Sequence, residues 1–238
     1  PGGPCLTQSR FACRALAGAR PSRDNRDRMP SFSLHVTDTL AAVQPSSWDA
    51  LVGEQPLLSH AFLHALHETG CASPKTGWAP RYLLLRQGEA LAGAMPLYLK
   101  AHSYGEYVFD WSWADAYRRH GQRYYPKLLA AIPFTPATGP RLLASNGQRR
   151  QRLLEGALAL LAEERVSSLH ILFPDAQDAA QCAAAGLLMR HSLQFHWENP
   201  GYRDCADCFS SLNHDKRKKI CQERRRLTEA GISFSRPT

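Results

Sequence analysis

The chain has 238 residues, 44% hydrophobic and 21% charged, a balance that describes a globular protein with an apolar core, built as one large domain or as one domain with part of a second. No apolar run approaches the ~18 residues of a membrane-spanning helix, and seven cysteines at irregular spacing exclude a secreted disulfide framework and suit a reducing cytoplasm. The net charge of +8 belongs to the ends, with +4 in residues 1–28, −1 in residues 29–213 and +5 in residues 214–238.

Residues 1–28 are rich in Gly, Pro, Arg and Ser and have no sustained apolar period, a composition that favours disorder. They lack the apolar stretch of a secretory signal, although an Arg-rich, acid-poor leader shares features with organelle transit peptides. The expectation is extra sequence ahead of a true start at Met29. Phe32 to Thr37 then alternates apolar and polar residues and predicts a first strand. Trp48 to Val52 predicts a short helical piece after Ser46 or Ser47. Ser59 is an N-cap for a helix with Phe62, Ala65 and Leu66 on one face and Gly70 as its stop. His60, His64 and His67 fall opposite Phe62 and Leu66, which predicts a solvated face rather than a metal site.

Arg81 to Arg86 predicts a strand, Gln87-Gly88 a turn and Glu89 to Lys100 the returning strand, with Pro96 marking a bulge or an unpaired edge. Tyr125 to Ala131 predicts a short helix or irregular segment, and Arg141 to Leu143 the end of a strand. Gln148 to Arg165 predicts a helix that buries Leu153, Ala157, Leu160 and Leu161. Ser168 to Phe173 predicts a buried strand, Asp175 to Ala185 a helix ended by Gly186, and Met189 to Trp197 a further strand. The order implies a mixed α/β domain of α+β type, antiparallel in its first half and with crossovers in its second.

Two Trp, five Tyr and three carboxylates crowd into the 24 residues from His102 to Tyr125. Aromatic walls with a few convergent polar groups are what a ligand cleft needs. The competing reading is an irregular loop packed by its own aromatics. A second candidate is the helix start at Asn146, where Arg149, Arg150 and Arg152 oppose the helix dipole unless an anion sits there. His170 reads as a core or sheet-edge histidine rather than a catalytic base. Cys205-Ala-Asp-Cys208 is a single C-x-x-C without the second pair that zinc needs, so no metal site is expected.

Asn213 caps a predicted helix running to Ala230, with Gly231 as its stop. Lys216 to Lys219 and Arg224 to Arg226 dominate this helix, which suits either a phosphate-bearing partner or a solvated link between domains. Ile232 to Ser235 then reads as the start of a strand.

His102 to Tyr117, Arg123 to Lys127, Pro133 to Leu143 and Ser167 to Pro174 resemble the FemAB-like peptidoglycan biosynthesis/recognition proteins of the GNAT acyltransferase superfamily. The resemblance covers about residues 30–238. It implies a GNAT-like mixed sheet flanked by helices in residues 29–203. It also implies the beginning of a truncated second GNAT-like domain in residues 204–238, the rest of that domain being an expected partner. The implied reaction is transfer of an acyl or aminoacyl group to an amine on a small molecule or peptide. The donor is expected to be acyl-CoA, or aminoacyl-tRNA, with no tightly bound cofactor. Direct attack by an amine needs a base, a group that polarises the carbonyl and an acid for the leaving group. Glu106, Asp110 and Asp115 are the candidate bases, and Tyr104, Tyr107 and Tyr117 candidate acids or positioning groups. Trp111, Trp113 and Tyr125 are candidate walls for the acceptor. Thr138, Gly139, Arg141, Asn146 and Arg149 are candidates for the donor's phosphates. The chain departs from GNAT enzymes in lacking a clean Gln/Arg-x-x-Gly-x-Gly/Ala loop. Two other functions compete with acyl transfer: recognition of a cell-wall precursor or peptide without chemistry, and nucleic-acid binding through residues 214–226. A near-neutral body makes the last the weakest.

Overall fold

The computed structural model describes residues 31–195 and 197–235. The expectations for residues 1–28 lie outside the described residues. The chain divides into two compact units, the division falling between Met189 and Arg190.

The first unit contains strands β1 (Phe32–Thr37), β2 (Trp78–Pro80), β3 (Tyr82–Gln87), β4 (Ala90–Met95), β5 (Leu97–Lys100), β6 (Lys127–Ala130), β7 (Leu143–Ala144) and β8 (Leu169–Ile171). Its helices are α1 (Pro45–Val52), α2 (His60–Glu68), α3 (Trp111–Arg119), α4 (Gly147–Glu163) and α5 (Ala176–Ala184). Where the sequence leads to one mixed sheet, the strands form two sheets of four, ordered β1-β3-β4-β7 and β2-β5-β6-β8. The first is antiparallel throughout. The second is antiparallel except for β6 beside β8, whose parallel pairing needs the long connection that contains α4.

Pro96 accounts for the split. Without an N–H it cannot extend the ladder, and the chain leaves the first sheet after Met95 and joins the second at Leu97. The expected single returning strand is therefore two strands in two sheets, and the bulge lies instead between Leu85 and Arg86. The segment 125–131, expected as a short helix or irregular piece, contains strand β6, because Leu128, Leu129 and Ala130 are each buried and the pairing with β5 and β8 outweighs the local pattern.

Alternation on the strands separates two cores. Leu84, Tyr98 and Leu129 join Trp48, Leu58 and Leu63 beneath α1 and α2. Leu83, Leu85, Leu97 and Leu128 join Leu153, Ala157 and Leu160 beneath α4. Each fully buried leucine here contributes roughly 1.5–3 kcal/mol. The histidine face of α2 points inward, contrary to the solvated face expected for it. His60 is buried and its Nε2 lies 3.0 Å from the Leu40 carbonyl oxygen. His67 pairs through Nδ1 with the Ala72 carbonyl at 2.8 Å and through Nε2 with the Tyr82 hydroxyl. Leu63 is the apolar anchor between them, so the helix buries His60 and Leu63, with His67 half-buried beside them and His64 partly exposed. Burial holds the His67 pKa below its ordinary value.

The second unit carries α6 (Cys205–Ser210) and α7 (His214–Glu229). Asp204 and Asn213 cap them, accepting from Asp207 N at 2.8 Å and Lys216 N at 3.0 Å. No residue of α7 is buried. The described residues of the predicted strands 189–197 and 232–235 form no strand. Among the described residues, no helix is long and apolar enough to cross a membrane.

Arg141 closes the first unit. Its guanidinium is fully buried and donates to the carbonyls of Leu172 at 2.9 Å, Pro140 at 3.0 Å and Ala137 at 2.6 Å. Asp178 of α5 accepts from the backbone N–H groups of Arg141 and Leu142 at 2.6 and 2.8 Å. Arg141→Met strands one buried and two half-buried carbonyls and is expected to lower stability by about 3 kcal/mol, read as a shifted midpoint in urea denaturation.

Candidate functional site

The site begins with strand register. Lys100 ends β5, Lys127 begins β6, and the antiparallel pairing places them directly opposite one another. Both are fully buried. Like charges in that relation repel, and a buried ammonium without partners costs several kcal/mol. The segment 101–110 folds back to supply what they lack. Lys127 Nζ donates to Glu106 Oε2 at 2.9 Å, to Asp110 Oδ2 at 2.6 Å and to Ser103 Oγ at 2.9 Å. Those contacts use its three protons. Lys100 Nζ sits 3.7 Å from the centroid of the Trp78 ring and donates to the Tyr104 carbonyl at 3.2 Å. Gly105 permits the fold-back, since its φ is +79° and a Cβ there would lie 2.6 Å from the Phe134 ring.

Asp110 also stands at the N-cap of α3, yet its side chain makes no capping bond. The carboxylate is turned to Lys127 and to the Tyr124 hydroxyl, which donates to Asp110 Oδ2 at 2.7 Å. Tyr124 OH lies 3.4 Å from His170 Nε2, and His170 Nε2 lies 2.8 Å from Ser168 Oγ. Ser103 Oγ in turn meets the Tyr125 hydroxyl at 2.7 Å. Tyr124 and Tyr125 open onto a shallow cleft of about 450 Å³, which Trp111, Asp115, Arg118 and Arg123 also line. That volume suits a small ligand or a peptide arm.

Burial and charge set the protonation of the cluster. Burial lowers Lys100 to about 8, Glu106 opposes the shift and Lys127 adds to it. Burial raises the Glu106 carboxyl above its ordinary range despite the pull of Lys127. For Asp110 burial also pushes upward, but the hydrogen bonds from Lys127 and Tyr124 outweigh it and hold the carboxyl low. Burial, with Asp110 beside it, raises the Tyr124 phenol. The second oxygens, Glu106 Oε1 and Asp110 Oδ1, are buried and have no hydrogen-bond partner among the described residues.

The structure thus joins Glu106 and Asp110, but in ion pairs. Asp115 lies apart, pairing with Arg118 and, at 3.0 Å, with Arg119 at the surface. Tyr104 packs edge-on against Trp111 at 5.4 Å and Tyr117 against Tyr124 at 5.2 Å. Tyr104 and Tyr107 are exposed, and Trp113 and Tyr107 do not line the cleft. None of the residues considered for donor phosphates lines it either. Thr138 is exposed, while Gly139 bonds to Phe173 and Asp175 at 3.1 and 3.0 Å. Arg141 is committed to carbonyls, and Asn146 caps α4 by accepting from Arg149 N at 3.0 Å. The Arg149 side chain reaches Ser145 at 2.9 Å and Gln87 at 3.2 Å. Among the described residues no cluster of His, Cys, Asp and Glu can hold a metal. Lys100, Lys127, Ser103 and Tyr124 are the members that sequence reasoning missed.

Two outcomes follow from these charges. Lys127→Met leaves two carboxylates buried without their cation and is expected to cost about 3–5 kcal/mol at neutral pH. The loss shrinks in acid, as the carboxylates protonate, and denaturation midpoints across pH measure it. For Lys100 the folded pKa of about 8 lies below the ordinary 10.5, so between these values the unfolded chain binds more protons. Its contribution to stability therefore rises with pH across that window. Lys100→Met is expected to remove that rise, visible as a flatter stability profile between about pH 8 and 10.5.

Among curated proteins and among solved structures nothing matches the chain. The profile of the FemAB-like family, described as peptidoglycan biosynthesis/recognition, matches residues 39–238, a span that takes in the second sheet, every strand of the first except β1, the buried lysine pair and the cleft. The chain belongs to the FemAB-like family of peptidoglycan biosynthesis/recognition proteins.

Proposed function

We propose that the chain is an N-acyltransferase of GNAT type and that the cleft beside α3 receives the amine acceptor. The observation that carries this reading is a hydrogen-bonded path from the cleft to the buried charges, running from Tyr124 to Asp110 Oδ2 at 2.7 Å and from there to Lys127 Nζ at 2.6 Å. In amide formation the acceptor nitrogen bonds to the acyl carbon. The bond to the leaving group, a coenzyme A thiolate or a tRNA ribose oxygen, breaks. The nitrogen loses one proton and the leaving group gains one. Tyr124 can pass the acceptor's proton toward Asp110 while taking it up on its own oxygen. Glu106, raised by burial, is the carboxylate with the greater affinity for a proton. Asp115, paired at the surface, has no part in this scheme. Acyl-CoA is the donor we favour, with aminoacyl-tRNA as the alternative, and a second GNAT-like domain after residue 203 is the expected partner.

A recognition role without chemistry is the second reading. It is favoured by the saturation of Lys127, which holds one oxygen of each carboxylate. The test is turnover of acetyl-CoA with a lysine-bearing peptide, followed by mass spectrometry, in the 238-residue chain and its Tyr124→Phe variant. The variant removes one hydroxyl and leaves Asp110 bound to Lys127, so stability is expected to change by only about 1 kcal/mol. Its kcat is expected to fall by ~10²–10⁴. An unchanged kcat removes Tyr124 from the chemistry. Peptide binding without transfer from either donor supports recognition instead.

A further inference from the structure

The cleft holds an uneven set of charges. Arg118, Arg123 and Asp115 line it. Asp115 is already neutralised by Arg118 and by Arg119 beyond the lining, at 3.0 Å for the latter. Arg123 is exposed and, among the described residues, has neither a hydrogen-bond nor an ion-pair partner. The other walls come from Ala114, Gln122 and the aromatic residues Trp111, Tyr124 and Tyr125. Aromatic faces attract an ammonium group, and a free guanidinium matches a carboxylate in bidentate fashion. Both features occur within one space of about 450 Å³, beside the hydroxyl that leads to Asp110.

Resting on the acyltransfer reading, we propose that the acceptor carries a carboxylate as well as its amine, as an amino acid or a peptide end does, and that Arg123 is the specificity residue that holds the carboxylate. The aromatic rings then hold the amine over Tyr124. One unpaired guanidinium matches a single negative charge. Arg123 does not act on the acyl carbon. It fixes which amines come within reach of Tyr124, so its removal changes the choice between acceptors.

The experiment is calorimetric titration of the chain with two probes and no acyl donor. One is N-acetyl-lysyl-alanine with a free C-terminal carboxylate, and the other is the same dipeptide as its C-terminal amide. The carboxylate form is expected to bind about tenfold more tightly, the scale of one charge-assisted contact at an open site. In Arg123→Met that ratio is expected to fall to about one, and in Arg123→Lys to recover in part. Arg123 lies at the surface, so a thermal melt is expected to show both variants folded. Equal affinity of the wild-type chain for the two probes overturns the proposal, as does a ratio that survives Arg123→Met or failure of both probes to bind. Because no donor is present, a chain that never transfers an acyl group can still pass this test, and a chain that transfers to both probes alike fails it while the acyltransfer reading stands.

Discussion

Two lysines placed opposite one another on neighbouring strands, both fully buried, impose the arrangement of everything at this end of the molecule. The β5–β6 register sets Lys100 against Lys127, and both are fully buried. A pair of ammonium groups in that relation is unfavourable both by repulsion and by desolvation. Glu106 and Asp110 balance it charge for charge, and the segment that carries them must lie over the strand ends to do so. The same requirement explains why Asp110 does not cap α3, although Asp is among the best N-caps. Its carboxylate stabilises more as the partner of a buried cation than as the acceptor of one exposed N–H. The helix therefore starts with its cap turned inward, and Trp111 emerges at the rim of the cleft.

Pro96 places this cluster where it is. By ending one ladder and starting another it puts Lys100 at the end of a strand in the second sheet, and the connection 101–126 brings the chain back to that same end, where β6 begins at Lys127. The segments considered for a donor's phosphates attach elsewhere. Asn146 follows β7 of the first sheet, and Gly139 and Arg141 are tied to the stretch from Leu172 to Asp178.

What local pattern controls was readable from the sequence. Period-two alternation marks β1, the Ser59 and Asn146 caps mark α2 and α4, and Asn213 marks α7. What long-range pairing controls was not. Lys127 follows Tyr124-Tyr125-Pro126 and looks like a surface lysine until its register with Lys100, 27 residues earlier, is known. For the same reason β6 reads as irregular: its strand character comes from neighbours on both sides. The histidines of α2 mislead because polarity suggests solvent, whereas the carbonyls of Leu40 and Ala72 and the Tyr82 hydroxyl satisfy them inside. The cleft is lined by residues between Trp111 and Tyr125, within the stretch of aromatic and acidic density. That density did not separate Glu106 and Asp110, which are buried, from Asp115, which is at the surface.

The cluster's protonation follows from its charge balance. Two ammonium groups and two carboxylates sum to zero, and any added proton makes the interior positive by one. Such a change is least costly at a group already displaced toward its neutral form. Glu106 is displaced that way by burial, and its Oε1 is buried and has no hydrogen-bond partner among the described residues. Lys100 is displaced in the complementary sense, toward giving its proton up. One carboxylate is thus inclined to gain a proton and one ammonium to lose one, within a shared charge network that Asp110 and Tyr124 extend to the cleft. The arrangement that offsets the repulsion of two buried lysines thus leaves Glu106 biased toward its protonated form and Lys100 toward its neutral form, while Asp110, which accepts from Lys127 and Tyr124, is held in the charged state.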